Sequence, residues 1–163
     1  FHYTHDDSVK LGAVINFLIS KSTGDFIAIW DSDDFHSPYR IENQLTALIT
    51  NDKDSCTLAE VLVYSYKHKE VLISNNRATG WEQTLLCKVG GFPVYENHQT
   101  KYDTPVLEYF VSNDKNHVLN NKELYCYTIY GNNVSSNSHI DSIYKTSSVT
   151  HKKYIELIKI LDI

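Results

Sequence analysis

Leu11, Val14, Ile15, Leu18 and Ile19 recur at the spacing of one helix face, which predicts a helix from Leu11 to about Lys21. Asp6, Asp7 and Ser8 stand before it as N-cap candidates, and Phe1 to His5, short and aromatic, reads as the end of a strand. Thr23-Gly24 closes the helix. Asp25 to Trp30 then runs apolar on both faces, the pattern of a central strand in a sheet covered on both sides. The run stops at Asp31-Ser32-Asp33-Asp34. Beyond it Ser37 is a natural N-cap and Pro38 fits the first helical position, where a missing N–H costs nothing. Ile41, Leu45, Leu48 and Ile49 make the expected buried stripe of a second helix, ending near Asn51.

Cys56 to Tyr66 and Glu70 to Ser74 are rich in strand-forming residues, and Lys67-His68-Lys69 between them predicts a hairpin. A polar loop over Asn75 to Gly80 leads into a further strand, Trp81 to Val89, which Gly90-Gly91-Phe92-Pro93 ends. Val94 to Lys101 is irregular. Thr104 to Val111 reads as a short helix with Val106, Leu107 and Phe110 inward and Asp103 at its N-terminus. Two β-like runs follow, around His117-Val118-Leu119 and from Glu123 to Tyr130. Gly131 to His139 is a loop by composition, and Val149, Tyr154, Leu157, Ile158 and Leu161 outline a last amphipathic helix. The expectation is a single α/β domain over residues 1–163, with a mixed β-sheet flanked by helices.

Composition narrows the function classes. The 163 residues are 42% hydrophobic and 21% charged, ordinary values for a chain with a real core. A net charge of −5 excludes the clustered basic footprint of a nucleic-acid binder. No apolar run approaches the ~18 residues of a membrane span. Cys56, Cys87 and Cys126 are widely spaced among apolar neighbours, so buried structural thiols in a reducing compartment are expected. A chain that opens on Phe1 and holds no methionine is expected to be a piece of a longer protein.

Candidate chemistry concentrates in the acidic loop. Asp31-x-Asp33 puts two carboxylates on one side of an extended chain, and three acids at a strand end are costly to hold together without a cation. That points to a hard metal ion, with phosphate for the ion to hold. A solvated turn with helix-capping Asp is the plainer reading. An EF-hand loop fails, since Phe35 and His36 stand at its fifth and sixth positions, although Glu42 falls at its twelfth. A metal-dependent phosphatase of the haloacid-dehalogenase type also places D-x-D after a strand, but Phe35 stands where that family has Thr or Val.

A larger ordered set covers the segment from Gly12 to Leu45. It comprises Gly12-x-x-x-Asn16, Gly24-Asp25-Phe26-Ile27, Asp31-Ser32-Asp33-Asp34, and then Pro38, Arg40, Ile41 and Gln44. Together these resemble the family 2 glycosyltransferases, whose GT-A fold is a mixed sheet flanked by helices. The resemblance implies an inverting transfer of a sugar from a nucleotide-sugar, a UDP-sugar foremost, to a saccharide or lipid-linked saccharide in polysaccharide assembly. Mg²⁺ or Mn²⁺ would be held by Asp33 and Asp31, with Asp34 assisting at the donor diphosphate. Asp103 matches the Asp of the family's E-D pair and would be the general base, Tyr102 standing where Glu is usual. Trp81, in Gly80-Trp81-Glu82-Gln83, would either stack on a sugar or pack in the core. Tyr125-Cys126-Tyr127-Thr128-Ile129-Tyr130-Gly131-Asn132-Asn133-Val134-Ser135 resembles the Y-x-Y-R-x-H-x-x-N-x-S signature. Asn133 and Ser135 match it, whereas Thr128 and Tyr130 stand in place of Arg and His, and His139 would be either a substitute ligand or a solvated loop residue. The resemblance further implies a cytoplasmic enzyme working near the membrane. It also implies that the first nucleotide-binding strands lie upstream of Phe1, so that this piece binds nucleotide-sugar weakly. The alternatives are a non-catalytic or carbohydrate-binding remnant of such an enzyme, and the D-x-D phosphatase.

Overall fold

The computed structural model describes residues 9–91, 93–98, 100–131, 133 and 137–149. The strand expected at Phe1 to His5 and the helix positions Tyr154, Leu157, Ile158 and Leu161 lie outside the described residues, as does Ser135. In chain order the elements are α1 (Leu11–Lys21), β1 (Phe26–Ala28), β2 (Phe35–His36), α2 (Arg40–Thr50), β3 (Ser55–Leu58), β4 (Leu62–Ser65) and β5 (Glu70–Ile73). Then come β6 (Trp81–Lys88), α3 (Thr104–Ser112), β7 (Asn116–Leu119), a 3₁₀ turn (Lys122–Leu124), β8 (Tyr125–Ile129), α4 (Asn137–Thr146) and β9 (Ser148–Val149).

Two mixed sheets result, ordered β1-β6-β3-β7 and β2-β8-β4-β5-β9. In the first, β6 runs antiparallel to β1 and β3 while β7 lies parallel to β3. Helices cover both of its faces. Leu85 and Cys87 of β6 pack with Val106 and Phe110 of α3 and with Ile15 and Ile19 of α1, while Leu86 and Cys56 pack on Leu48, Ile41 and Leu45 of α2. The second sheet pairs β4 parallel to β8 and antiparallel to β5, the expected hairpin. Leu58 and Trp81 of the first sheet share one core cluster with Val63, Leu72 and Tyr127 of the second and with Ile143 of α4, so the two sheets are joined by a common interior. The mixed α/β architecture is the expected one.

Several expectations need correction. β1 is apolar on both faces because both are covered, Phe26 and Ala28 toward α2 and Ile27 and Ile29 toward α1 and α3. Among the described residues, however, it is an edge strand and only half-buried. Helix α2 starts two residues after Pro38, because Ser37 and Pro38 make the entry turn: the Tyr39 N–H donates to Ser37 Oγ (3.3 Å) and the Arg40 N–H to the Ser37 carbonyl (3.0 Å). Its buried face is Arg40, Gln44 and Leu48, and Ile49 is 62% exposed. The run from Cys56 to Tyr66 is two strands, one in each sheet. The loop expected up to His139 gives way to α4 at Asn137, and Val149 belongs to β9, not to a helix. Cys56 and Cys87 are buried free thiols, as expected, and burial pushes them up to about 11 and about 12; Cys126 is free and half-buried.

Candidate functional site

Where β1 leaves the sheet, the chain turns through Asp31-Ser32-Asp33-Asp34 and returns as β2 against β8. The turn is held from β8. Asp34 accepts hydrogen bonds from the Tyr125 hydroxyl and, at 2.7 Å, from the Thr128 N–H. Asp33 accepts one from the Tyr130 hydroxyl. Thus the two positions that depart from the resembling signature, Thr128 and Tyr130, still reach the acidic loop, one through its backbone and the other through a phenol. Asn133 holds that end of the strand: its Oδ1 accepts from the Tyr130 N–H (3.2 Å) and its Nδ2 donates to the Thr128 carbonyl (2.7 Å).

A buried cation lies beneath the loop. Arg40 is fully enclosed, and its Nε donates to Gln44 Oε1 (2.9 Å) while one terminal nitrogen donates to His36 Nδ1 (2.6 Å). A guanidinium has no lone pair to offer, so His36 Nδ1 is the acceptor and the ring proton sits on Nε2, which donates to the Asp31 carbonyl (3.0 Å). Gln44 Nε2 in turn donates to the Cys56 and Thr84 carbonyls (3.0 and 2.7 Å). The Arg and Gln of the helix pattern therefore form one polar pillar between α2, the sheet and the acidic loop. Burial first, then Asp33, pushes the Asp31 carboxyl up to about 6, while the Arg40 charge pulls it down and Asp103 raises it. Burial likewise lifts Asp34 to about 7 against the two hydrogen bonds from Tyr125 and Thr128.

Asp103 reaches the same place from α3, and α1 sets its approach. Gly12 lies under the chain leading to α3, where a Cβ would fall 1.8 Å from the Glu96 carbonyl oxygen. One turn later Asn16 brackets Tyr95: its Nδ2 donates to the Tyr95 carbonyl (2.7 Å) and its Oδ1 accepts from the Tyr95 N–H (2.9 Å). These contacts explain the Gly12-x-x-x-Asn16 pattern as the seat of the segment that delivers Asp103. Asp103 stands at the N-cap of α3, yet its side chain makes no capping hydrogen bond. Burial, and after it the Glu82 charge, holds its carboxyl above the usual range against the pull of nearby N–H groups and His139.

Asp31, Asp33, Asp34, Asp103, Asn133 and His139 line one cleft of about 400 Å³. Ser135 lies outside the described residues. Trp81 is the correction: only 1% exposed, it packs in the core with the Arg77 guanidinium 3.5 Å over its ring, which leaves no face for a sugar. The adjacent Glu82 lines the cleft instead, paired with Arg77 Nη1 at 3.0 Å. Sequence reasoning gave no site role to Glu82, Arg77 or Tyr102, all cleft residues. The signal for Glu82 was its position next to a buried residue on a strand, where side chains alternate between faces.

Asp31 and Asp33 suit a divalent cation. They repel each other, and among the described residues no three His, Cys, Asp or Glu side chains converge to hold an ion. Two carboxylates match an ion such as Mg²⁺ that keeps its other positions for phosphate oxygens and water. Among the described residues no helix is long and apolar enough to cross a membrane. Comparison with protein families matches residues 1–104 to the one described as Glycosyl transferase family 2, a different family from the phosphatases weighed above. No curated protein matches the chain.

Proposed function

The chain belongs to glycosyl transferase family 2, and from that premise we propose that it carries out an inverting transfer of a sugar from a nucleotide-sugar, a UDP-sugar foremost, to a hydroxyl of a saccharide or lipid-linked saccharide in glycan assembly. The observation that carries this reading is the convergence of Asp31 and Asp33 with Asp103 in one cleft. Asp31 and Asp33 are the residues that would hold Mg²⁺ or Mn²⁺, and the ion when bound offsets the charge that builds on the departing diphosphate. Asp34, with Tyr125 and Thr128 on its oxygens, anchors the loop to β8. Arg40, from below, favours the ionised form of Asp31.

Asp103 takes the proton of the acceptor hydroxyl as that oxygen attacks the anomeric carbon. The bond from that carbon to the phosphate oxygen breaks on the opposite face, so configuration inverts in one displacement without a nucleophilic side chain. Burial favours this role, since a carboxylate whose pKa is raised is a better proton acceptor than a solvated one. Glu82 and Arg77 stand beside it, one accepting and one donating, where acceptor hydroxyls need both. The test is sugar transfer from a panel of nucleotide-sugars with Mn²⁺ present. Asp103→Asn is expected to lower the rate by ~10²–10⁴-fold. Full activity in that variant would remove Asp103 from the mechanism.

A further inference from the structure

Resting on the metal reading above, we propose that Tyr130 is a positioning residue for the cation: its hydroxyl clamps one oxygen of Asp33 so that the other is presented to the metal. Asp33 sits on an exposed turn, and among the described residues the Tyr130 hydroxyl is its side-chain hydrogen-bond partner. The bond falls on Oδ2, and among the described residues Oδ1 has no hydrogen-bond partner. A carboxylate has lone pairs enough to accept a phenol on one oxygen and an ion on the other.

The backbone that carries the phenol is held independently of Asp33. β8 is locked in parallel register to β4 through Ile129, which pairs with Ser65, and the Asn133 side chain, bonded to the Thr128 carbonyl and the Tyr130 N–H, fixes the backbone leading into Tyr130. β8 itself holds Asp34 by two further bonds, so the acidic turn is gripped at consecutive residues by that strand and by the residue that follows it. An acid that binds metal while hydrogen-bonded behind pays less orientational entropy when the ion arrives, and losing such a partner commonly weakens metal binding by ~10–100-fold. The opposite possibility is a latch, in which the hydroxyl occupies Asp33 and must leave before the ion can enter. An Asp33 whose second oxygen has no hydrogen bond among the described residues, and a Tyr130 backbone held by Asn133 just past β8, favour the clamp.

The experiment titrates Mn²⁺ into the chain, alone and with UDP added, and follows free Mn²⁺ by electron paramagnetic resonance. Tyr130→Phe removes only the hydroxyl, and its thermal midpoint is expected to equal that of wild type. The clamp predicts Mn²⁺ affinity at least ~10-fold weaker in Tyr130→Phe, with the spectrum of the bound ion altered. A purely structural role would move neither at an unchanged midpoint. Equal affinity overturns the inference, and tighter affinity overturns it in favour of the latch. Asp33→Asn distinguishes this failure from failure of the metal reading itself: if wild type and Asp33→Asn bind Mn²⁺ alike, the ion is not at Asp33 and both fall.

Discussion

Asn16→Ala tests whether α1 seats the segment that delivers Asp103. The substitution removes two hydrogen bonds to the backbone of one residue, at 2.7 Å to the Tyr95 carbonyl and 2.9 Å from its N–H. Each is worth ~0.5–1.5 kcal/mol net, so the loss is ~1–3 kcal/mol. The upper part of the range applies, because Tyr95 as a whole is only 2% exposed and the released peptide groups have little access to water. For a domain of this size ~1 kcal/mol moves the thermal midpoint by ~2–4 °C, so ~2–3 kcal/mol gives a fall of roughly 4–12 °C, read by circular dichroism. A second consequence separates seating from general stability. At a temperature where both proteins are folded, kcat should fall while donor affinity holds, because the segment carries the base and not Asp31 or Asp33. A midpoint within about 1 °C of wild type would refute the bracket as a structural seat. A lowered midpoint with unchanged kcat would refute its link to Asp103.

Gln44→Leu removes the acceptor of Arg40 Nε and leaves the Cys56 and Thr84 carbonyls without that donor inside the protein, at an expected cost of ~2–4 kcal/mol in urea unfolding. Retained stability would show that the polar pillar does not hold α2 to the sheet. Asp54 bonds Lys88 and Lys115, and those contacts hold its carboxyl below the usual range. A folded pKa below the unfolded one means the stabilisation is present above the unfolded value and lost as pH falls through the folded one. Asp54→Asn should therefore lower the midpoint slightly near neutral pH and match wild type in strong acid, in melts run across that range. A gap that persists in acid would assign the effect to something other than charge.

What could be read along the chain was local. α1, α3 and β6 fall where periodicity and breakers place them, because each buries one face through its own spacing, and the hairpin at Lys67-His68-Lys69 needs only its turn. The division of Cys56 to Tyr66 between two sheets was not legible, because its cause is distant. Thr84 Oγ1 accepts the Leu58 N–H (2.8 Å) and Ser74 Oγ the Val61 N–H (2.9 Å), so hydroxyls from elsewhere satisfy the backbone where the strand changes sheets. An uninterrupted run of strand-forming residues carries no mark of partners that far away.

The site divides along the same line. Asp31 and Asp33 stood out as carboxylates crowded at a strand end, and Asp103 through its resemblance to the family's E-D pair; the fold brings all three to one cleft. Trp81 misled because aromatic size indicates sugar stacking and core packing equally, and only the sheet decides which neighbour, Trp81 or Glu82, turns inward. Arg40 and Gln44 stood in the helix pattern but were not read as buried, because hydrophobic periodicity assigns the interior to Ile41, Leu45 and Ile49. A charged residue enters a core when its hydrogen bonds are met there, and Arg40 finds His36 and Gln44 at i−4 and i+4. That spacing was present in the sequence. The Arg40 charge favours the ionised form of Asp31 at the head of the loop, so a buried Arg in the helix that follows is a physical companion of the motif.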